Sequence, residues 1–384
     1  MDAYFTLNSW ISLAKSINDE NSHLINFLKR GTQLKFLFSK KEIDNLIESN
    51  PKQKNVKKII KIPKSKRLDK ITLNRLNSLI ISMCSNRGND SKEKYDQSLP
   101  SCIMNRTYEN GEFNDLTAIY CLNNTTSHHA IKHDNSVLCS TEGEEINTIK
   151  KLFIENDDIP TRIYRTKNMG KDWDIIRKNT IPLTDIIITD RYLTKIDIEK
   201  WETNFLKILE ILLENGSQKI INIVVITQLS PSLDPMLLKL MIEKMCKNVL
   251  SEEVTVNITL IYSKVYPKDK NCKVSIDLPK DHSGNDSTNE TRSNFRHERQ
   301  IITNYKTFIS GDSFTYYRKK GGEFHTKDEN FIVSSYMLSD YFDNIKDYLS
   351  ELGEEITNLK ICGARKSNLL SIPQEKIEKI ELPK

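Results

Sequence analysis

The sequence predicts an α/β fold, a mixed sheet flanked by helices and preceded by a mainly helical or α+β N-terminal domain. Three observations carry this. Between Asp185 and Tyr262, three apolar β-branched runs alternate with two amphipathic helix patterns, an order that lays helices over a sheet. Two β-rich runs follow between Gln300 and Tyr317. A long amphipathic pattern, Phe331 to Leu352, then ends at Gly353, a residue suited to stop a helix.

In chain order, residues 1–50 read as mainly helical. Trp10, Ile11, Leu13, Ala14 and Ile17 follow helical spacing, as do Leu24, Ile25, Phe27 and Leu28. Leu34 to Ser39 reads as a strand. The segment 51–70 is the densest positive run, with Lys54, Lys57, Lys58, Lys61, Lys64, Lys66 and Arg67 and no carboxylate before Asp69. It is a candidate nucleic-acid strip, or a contact for an acidic partner. The plainer reading is a solvated linker, since the run has no aromatic residues to stack on bases. Residues 85–115 are polar and without pattern. Cys121, His128, His129, His133 and Cys139 crowd one short segment. These are zinc-ligand types, but the spacing is not that of a finger or knuckle, so no metal is assigned. Gly143 to Asn156 reads as a helix.

The three core strands are read at Asp185–Leu193, Ile220–Thr227 and Val254–Tyr262. The first connecting helix starts at Asp197 and carries Ile198, Trp201, Phe205, Ile208, Leu209 and Leu212 on one face. The second starts at Asp234-Pro235, a capping residue followed by a proline at the first helical position. A polar loop, 267–296, leads into the β-rich pair. A tail, 356–384, closes the chain.

A chain of 384 residues accommodates two domains, read here as 1–150 and 180–355. Hydrophobic residues make up 38% and charged residues 28%, which fits a polar globular protein. No apolar run is long enough to span a bilayer. The N-terminus lacks a basic region followed by an apolar one. Seven scattered cysteines fit reduced thiols in a cytoplasmic protein. The net charge of +5 is mild. No glycine-rich phosphate loop is present, which leaves an ATPase or dinucleotide-binding reading without support. The acidic residues show no spacing that argues for or against a carboxylate metal site.

The chemistry concentrates after the polar loop. His297 and Arg299 stand two apart at the head of a predicted strand, which sets them on one face, about 7 Å apart. An imidazole beside a guanidinium suits a phosphate: arginine forks its oxygens, and histidine attacks or carries a proton. Asp190 and Arg191 end the first core strand; Asp190 reads as a strand-end cap or a site residue.

Residues 297–315 resemble the phospholipase D superfamily motif His-x-Lys-x4-Asp-x6-Gly-Ser-x-Asn. The chain has His297-x-Arg299-x4-Asn304-x6-Gly311, then Asp312-Ser313-Phe314-Thr315. Spacing from His to Gly is kept. Arg299 stands for Lys and Asn304 for Asp, and Thr315 meets the final Asn position with one residue inserted. The wider pattern resembles one module of that superfamily over roughly 180–355. The resemblance implies a metal-independent phosphodiesterase acting on nucleic acid through a phosphohistidine, with no cofactor. His297 would be the nucleophile and Arg299 the phosphate holder, with Asn304, Ser313 and Thr315 completing the motif. His325-Thr-Lys327 repeats only His-x-Lys and is read as coincidence. A single module implies a homodimer that brings two His297 side chains to one phosphate. The alternative is a catalytically inactive phospholipase D-like subunit that binds nucleic acid or a partner protein in a bacterial assembly such as an antiviral (phage-defence) system. Neither reading involves a membrane.

Overall fold

The structure, a computed structural model, describes residues 2–16, 24, 33–36, 119–121, 138–140, 143–156, 159–168, 173–195, 201–214, 219–229, 233–264, 299–314, 316–320, 323–336 and 339–374. The lysine strip 51–70, the loop 267–296, His297 and Thr315 lie outside these residues.

The main sheet is mixed and eight-stranded. Its core is β6 (Asp185–Thr189), β7 (Ile220–Leu229) and β8 (Thr255–Lys264), which are mutually parallel. They are joined through α4 (Lys207–Glu214), entered by a π-helical turn at Trp201–Leu206, and α5 (Pro235–Val249). This is the predicted strand–helix alternation. Asp234 caps α5 as expected: its Oδ1 accepts the Met236 N–H at 2.9 Å.

After β8 the chain returns to the other side of β6. There β9 (Gln300–Thr303) pairs antiparallel with β6, followed outward by β10 (Lys306–Ser310), β13 (Asn330–Ser335) and edge strand β5 (Thr161–Arg165). At the opposite edge, β14 (Lys360–Gly363) pairs antiparallel with β8. The sheet therefore extends past both ends of the span 180–355.

Alternation along the strands divides the core between two faces. Ile186, Ile188, Ile223, Val225 and Ile301 pack with α4, α5 and α3 (Asp174–Asn179). Ile187, Val224, Ile226, Ile261 and Ile302 pack on the other face, with Phe342 and Leu352 of α6 (Ser339–Glu355). That cluster continues into Ala3, Phe5, Trp10 and Ile119 of the N-terminal region. β1 (Asp2–Phe5), β2 (Gln33–Phe36), β3 (Ile119–Cys121) and β4 (Leu138–Ser140) form a parallel sheet in the order β2-β1-β3-β4, with α1 at Leu7–Ser16. Tyr305 links the two sheets, its hydroxyl accepting the Leu138 N–H at 2.5 Å.

Several elements differ from the sequence reading. Phe331 to Ser335 is strand β13, and the helix begins only at Ser339. Phe331 and Val333 are buried against the α4–α5 side of the sheet, a period of two that a helical count absorbs into its own stripe. The helix read over Gly143–Asn156 shortens to α2 (Glu145–Lys150), followed by a turn and a short 3-10 segment in which Glu155 is left-handed (φ 54°). Ser313 is not in a strand but in the turn after β10, where Phe314 has φ 44°. The chain next forms a separate two-stranded ribbon, β11 (Tyr317–Lys320) and β12 (Glu323–Thr326).

Asn304 is fully buried at the β9–β10 turn. Its Oδ1 accepts the Thr184 N–H at 2.9 Å and the Asp185 N–H at 3.2 Å, which pins the start of β6. Asn304→Ala would leave both donors buried without an acceptor, a cost of about 2–4 kcal/mol. The expected result is a lower urea midpoint with an unchanged slope. An unchanged midpoint would contradict this structural role.

Candidate functional site

The site is built where β6 ends and β9 begins. The register Thr189↔Gln300 makes Asp190 and Arg299 neighbours across the ladder. This is also where the sheet changes direction: the chain moves outward from β6 to β8, then comes back to β6's other edge. In open α/β sheets, ligands gather beyond the carboxyl ends of the strands at such a switch.

Arg299 is held on two sides. Its Nη1 donates to the Gly311 carbonyl at 2.7 Å, and its guanidinium lies 5.3 Å from the centre of the Tyr192 ring. Gly311 is itself placed by its N–H to the Asn330 carbonyl at 3.0 Å. A Cβ there would lie 3.3 Å from that same carbonyl oxygen and from Glu329 Oε2, so a glycine suits this close approach.

Asp190 is fully buried. Its Oδ1 accepts the Tyr192 N–H at 2.8 Å. Burial pushes its carboxyl up to about 6, against the lowering pull of the Tyr192 N–H, Ser313 and Arg299. Asp312 shows the opposite balance. Burial would raise its pKa, but Lys327, 2.5 Å away, and the Ser313 N–H hold it below the usual value. Lys327 also pairs with Glu329 at 2.9 Å. Arg191 donates from Nε to Gln228 Oε1 at 2.9 Å, beside the end of β7.

Buried polar atoms without hydrogen-bond partners concentrate here. Among the described residues they include Thr189 Oγ1, Asp190 Oδ2, Thr227 Oγ1, Ser263 Oγ and Arg299 Nε. All five belong to the carboxyl ends of β6, β7 and β8 or to the residue just before β9. Buried polar atoms in proteins are almost always paired, so this cluster marks the end of the sheet suited to a polar ligand. A guanidinium with an open Nε and a neighbouring carboxyl near neutrality can grip an oxyanion and exchange a proton.

Of the predicted site residues, Arg299 and Ser313 both act on the Asp190 carboxyl. Asn304 is not with them: it lies at the far end of β9, against the amino end of β6. His297 precedes Arg299 by two residues in sequence but, with Thr315 and the seven basic residues 54–67, lies outside the described residues. In the Cys/His segment, Cys121 pairs with Ser140, and Cys139 with Tyr120, so the cysteines are one register position apart on neighbouring strands. Its histidines also lie outside the described residues. No group of metal-ligand residues forms among the described residues.

Tyr192, Gln228 and Lys327 joined the site without a sequence signal that singled them out. Tyr192 and Gln228 follow or end core strands, the one cue available. Lys327 belongs to the dismissed His325-Thr-Lys327 and reaches Asp312 because the ribbon returns the chain to its own base. Among the described residues no helix is long and apolar enough to cross a membrane. No protein-family model matches the chain, and no curated protein matches it.

Proposed function

We propose that the chain is a metal-independent phosphodiesterase that cleaves nucleic acid, built on one phospholipase D-like module. The observation that carries this reading is Arg299, fixed opposite buried Asp190 at the carboxyl end of β6. It is the right cation at the right end of the sheet for a phosphate, and it is the motif residue two after His297.

In this mechanism Arg299 holds the non-bridging oxygens of the phosphodiester. His297 attacks phosphorus; a nitrogen–phosphorus bond forms and the bond to the leaving oxygen breaks. The leaving oxygen takes a proton from Asp190, or from the second His297 of a homodimer. Water then attacks the phosphohistidine, gives up its proton to the same group, and frees His297. Ser313 and Thr315 support the phosphate end of the site. Asn304 acts through the fold, as its contacts with Thr184 and Asp185 suggest.

The second reading, a subunit that binds nucleic acid or a partner without cleaving, is favoured by one contact. The Arg299 fork already gives one N–H to Gly311. Arg299→Ala separates the two. The cleavage reading expects about a 100-fold slower reaction in the variant, the scale of losing one transition-state donor, with its melting temperature little changed. Binding without cleavage by the wild-type chain selects the second reading.

A further inference from the structure

The eight-stranded sheet ends at β5, and among the described residues no strand pairs with the outer edge of β5. The hydrogen bonds of its inner edge show which groups face outward. The Ser335 N–H donates to the Pro160 carbonyl at 2.8 Å, and the Thr166 N–H to the Glu329 carbonyl at 3.0 Å. Antiparallel ladders alternate residue by residue, so Arg162 and Tyr164 also turn their backbone groups inward to β13. Thr161, Ile163 and Arg165 then turn their N–H and C=O groups outward. Such a row is a template for another strand.

Charged side chains commonly guard an edge of this kind. Here both arginines of β5 are already paired within the chain, Arg162 with Glu155 at 2.8 Å and Arg165 with Asp328 at 2.7 Å. Between them Ile163 is 63% exposed, more than any other large hydrophobic residue described. The register carries the apolar line inward: Ile163 pairs with Ile332, and Ile332 with Ile309, itself 37% exposed. A row of isoleucines thus crosses β10, β13 and β5 and stops at the open edge.

We propose that a second copy of this chain occupies the edge, β5 pairing antiparallel with β5 about a two-fold axis at Ile163. The strand Thr-Arg-Ile-Tyr-Arg is self-complementary in this register. Ile163 exchanges both backbone hydrogen bonds with Ile163 of the second copy, and Thr161 does so with Arg165. Arg162, whose guanidinium lies 5.4 Å from its own Tyr164 ring, comes opposite Tyr164 of the second copy, a cation beside an aromatic face. A register centred on Arg162 sets like charges opposite each other, and one centred on Tyr164 leaves Thr161 without a partner. The Ile163 register joins the two isoleucine rows into one and merges both sheets, with the isologous symmetry of a two-fold dimer. The interface does not depend on the phosphodiesterase reading, but it bears on it. Gln300, next to Arg299, is level with Ile309, and β10 and β13 separate β9 from β5. At about 4.8 Å per strand the two Arg299 positions lie about 34 Å apart. Each site then works alone, with Asp190 rather than a second His297 as its proton donor.

The test is sedimentation velocity of the full chain from about 1 to 200 μM, with Ile163→Lys, Ile163→Cys and Thr161→Cys, each checked by circular dichroism and melting. A single short strand pair is a small interface, so a dissociation constant on the order of 10 μM is expected. Ile163→Lys sets two like charges opposite each other and should weaken self-association at least tenfold. Ile163→Cys places two cysteines about 5.5 Å apart between Cα atoms, within disulfide range, so mild oxidation should link it into dimers. Thr161→Cys, offset by about 13 Å along the paired strands, should not link, and wild-type chain oxidised alongside reports the native cysteines. A chain that stays monomeric at 200 μM overturns the proposal, as does a dimer that Ile163→Lys leaves intact or that links through Thr161→Cys as readily as through Ile163→Cys. Cleavage by monomeric Ile163→Lys at the wild-type rate is the result expected of separate sites. Cleavage lost together with the dimer overturns that separation. Wild-type chain that dimerises through Ile163 without cleaving overturns the phosphodiesterase reading and leaves the interface standing.

Discussion

Lys306→Met is expected to stabilise the protein at neutral pH, by about 2 kcal/mol or more. Lys306 is 1% exposed, and its Nζ donates to one acceptor, the Phe153 carbonyl at 2.8 Å. Burial pulls its pKa down to about 7. A buried ammonium with one neutral acceptor is poorly compensated. The sign follows from proton counts. Between about 7 and the ordinary 10.5 the unfolded chain keeps the proton that the folded chain has lost, so stability from this group rises with pH. Below about 7 the full cost applies, at most about 5 kcal/mol. Methionine has a similar length, carries no charge and forfeits one hydrogen bond, which trims the gain. Urea unfolding of both proteins at pH 6, 7.5 and 9 checks this. The gain should be largest at pH 6 and shrink at pH 9. A variant less stable than wild type at pH 6 would contradict it.

Gly363→Ala is expected to cost more than about 3 kcal/mol. Gly363 has φ +113°, a region that L side chains rarely enter. Its added Cβ would lie 2.1 Å from the Ile258 carbonyl oxygen, which no rotamer relieves because both atoms are fixed by backbone. The strand would have to leave β8, combining backbone strain with overpacking. Its departure would carry off the segment that follows. There the Ser367 hydroxyl and the Asn368 N–H both donate to Asp185 Oδ1, at 2.9 and 2.7 Å, and Asn368 Nδ2 donates to Oδ2 at 2.9 Å. Asp185 is fully buried, so losing these donors uncovers a buried carboxylate. The check is the urea midpoint together with limited proteolysis after residue 359, which should accelerate. A midpoint within experimental error of wild type would show that the strand tolerates the methyl.

The central α/β layer was legible because parallel core strands are continuous apolar runs and their helices carry a clean stripe. Asp234-Pro235 marked α5 to the residue. The antiparallel half was harder to read. The apolar residues of β13 run into the stripe of the following helix, and β5 and the ribbon carry only short, polar signals. The N-terminal parallel sheet rests on strands of three and four residues, too short to show a period. In the site, Arg299 followed from strand spacing and Asp190 from its place at a strand end. The meeting of the two depends on which strand pairs with β6, and pairing across more than a hundred residues leaves no trace in local pattern. Asn304 illustrates the converse. Its place in a motif suggested chemistry, while its neighbours across the sheet give it a role at the start of β6.

The most direct test is cleavage of single-stranded DNA and RNA in the presence of EDTA by wild-type chain, His297→Ala and Arg299→Ala, with melting curves for each. EDTA-resistant cleavage by the wild type, abolished in His297→Ala and about 100-fold slower in folded Arg299→Ala, is the predicted result. Cleavage that needs a divalent metal, or that persists in His297→Ala, would contradict the account.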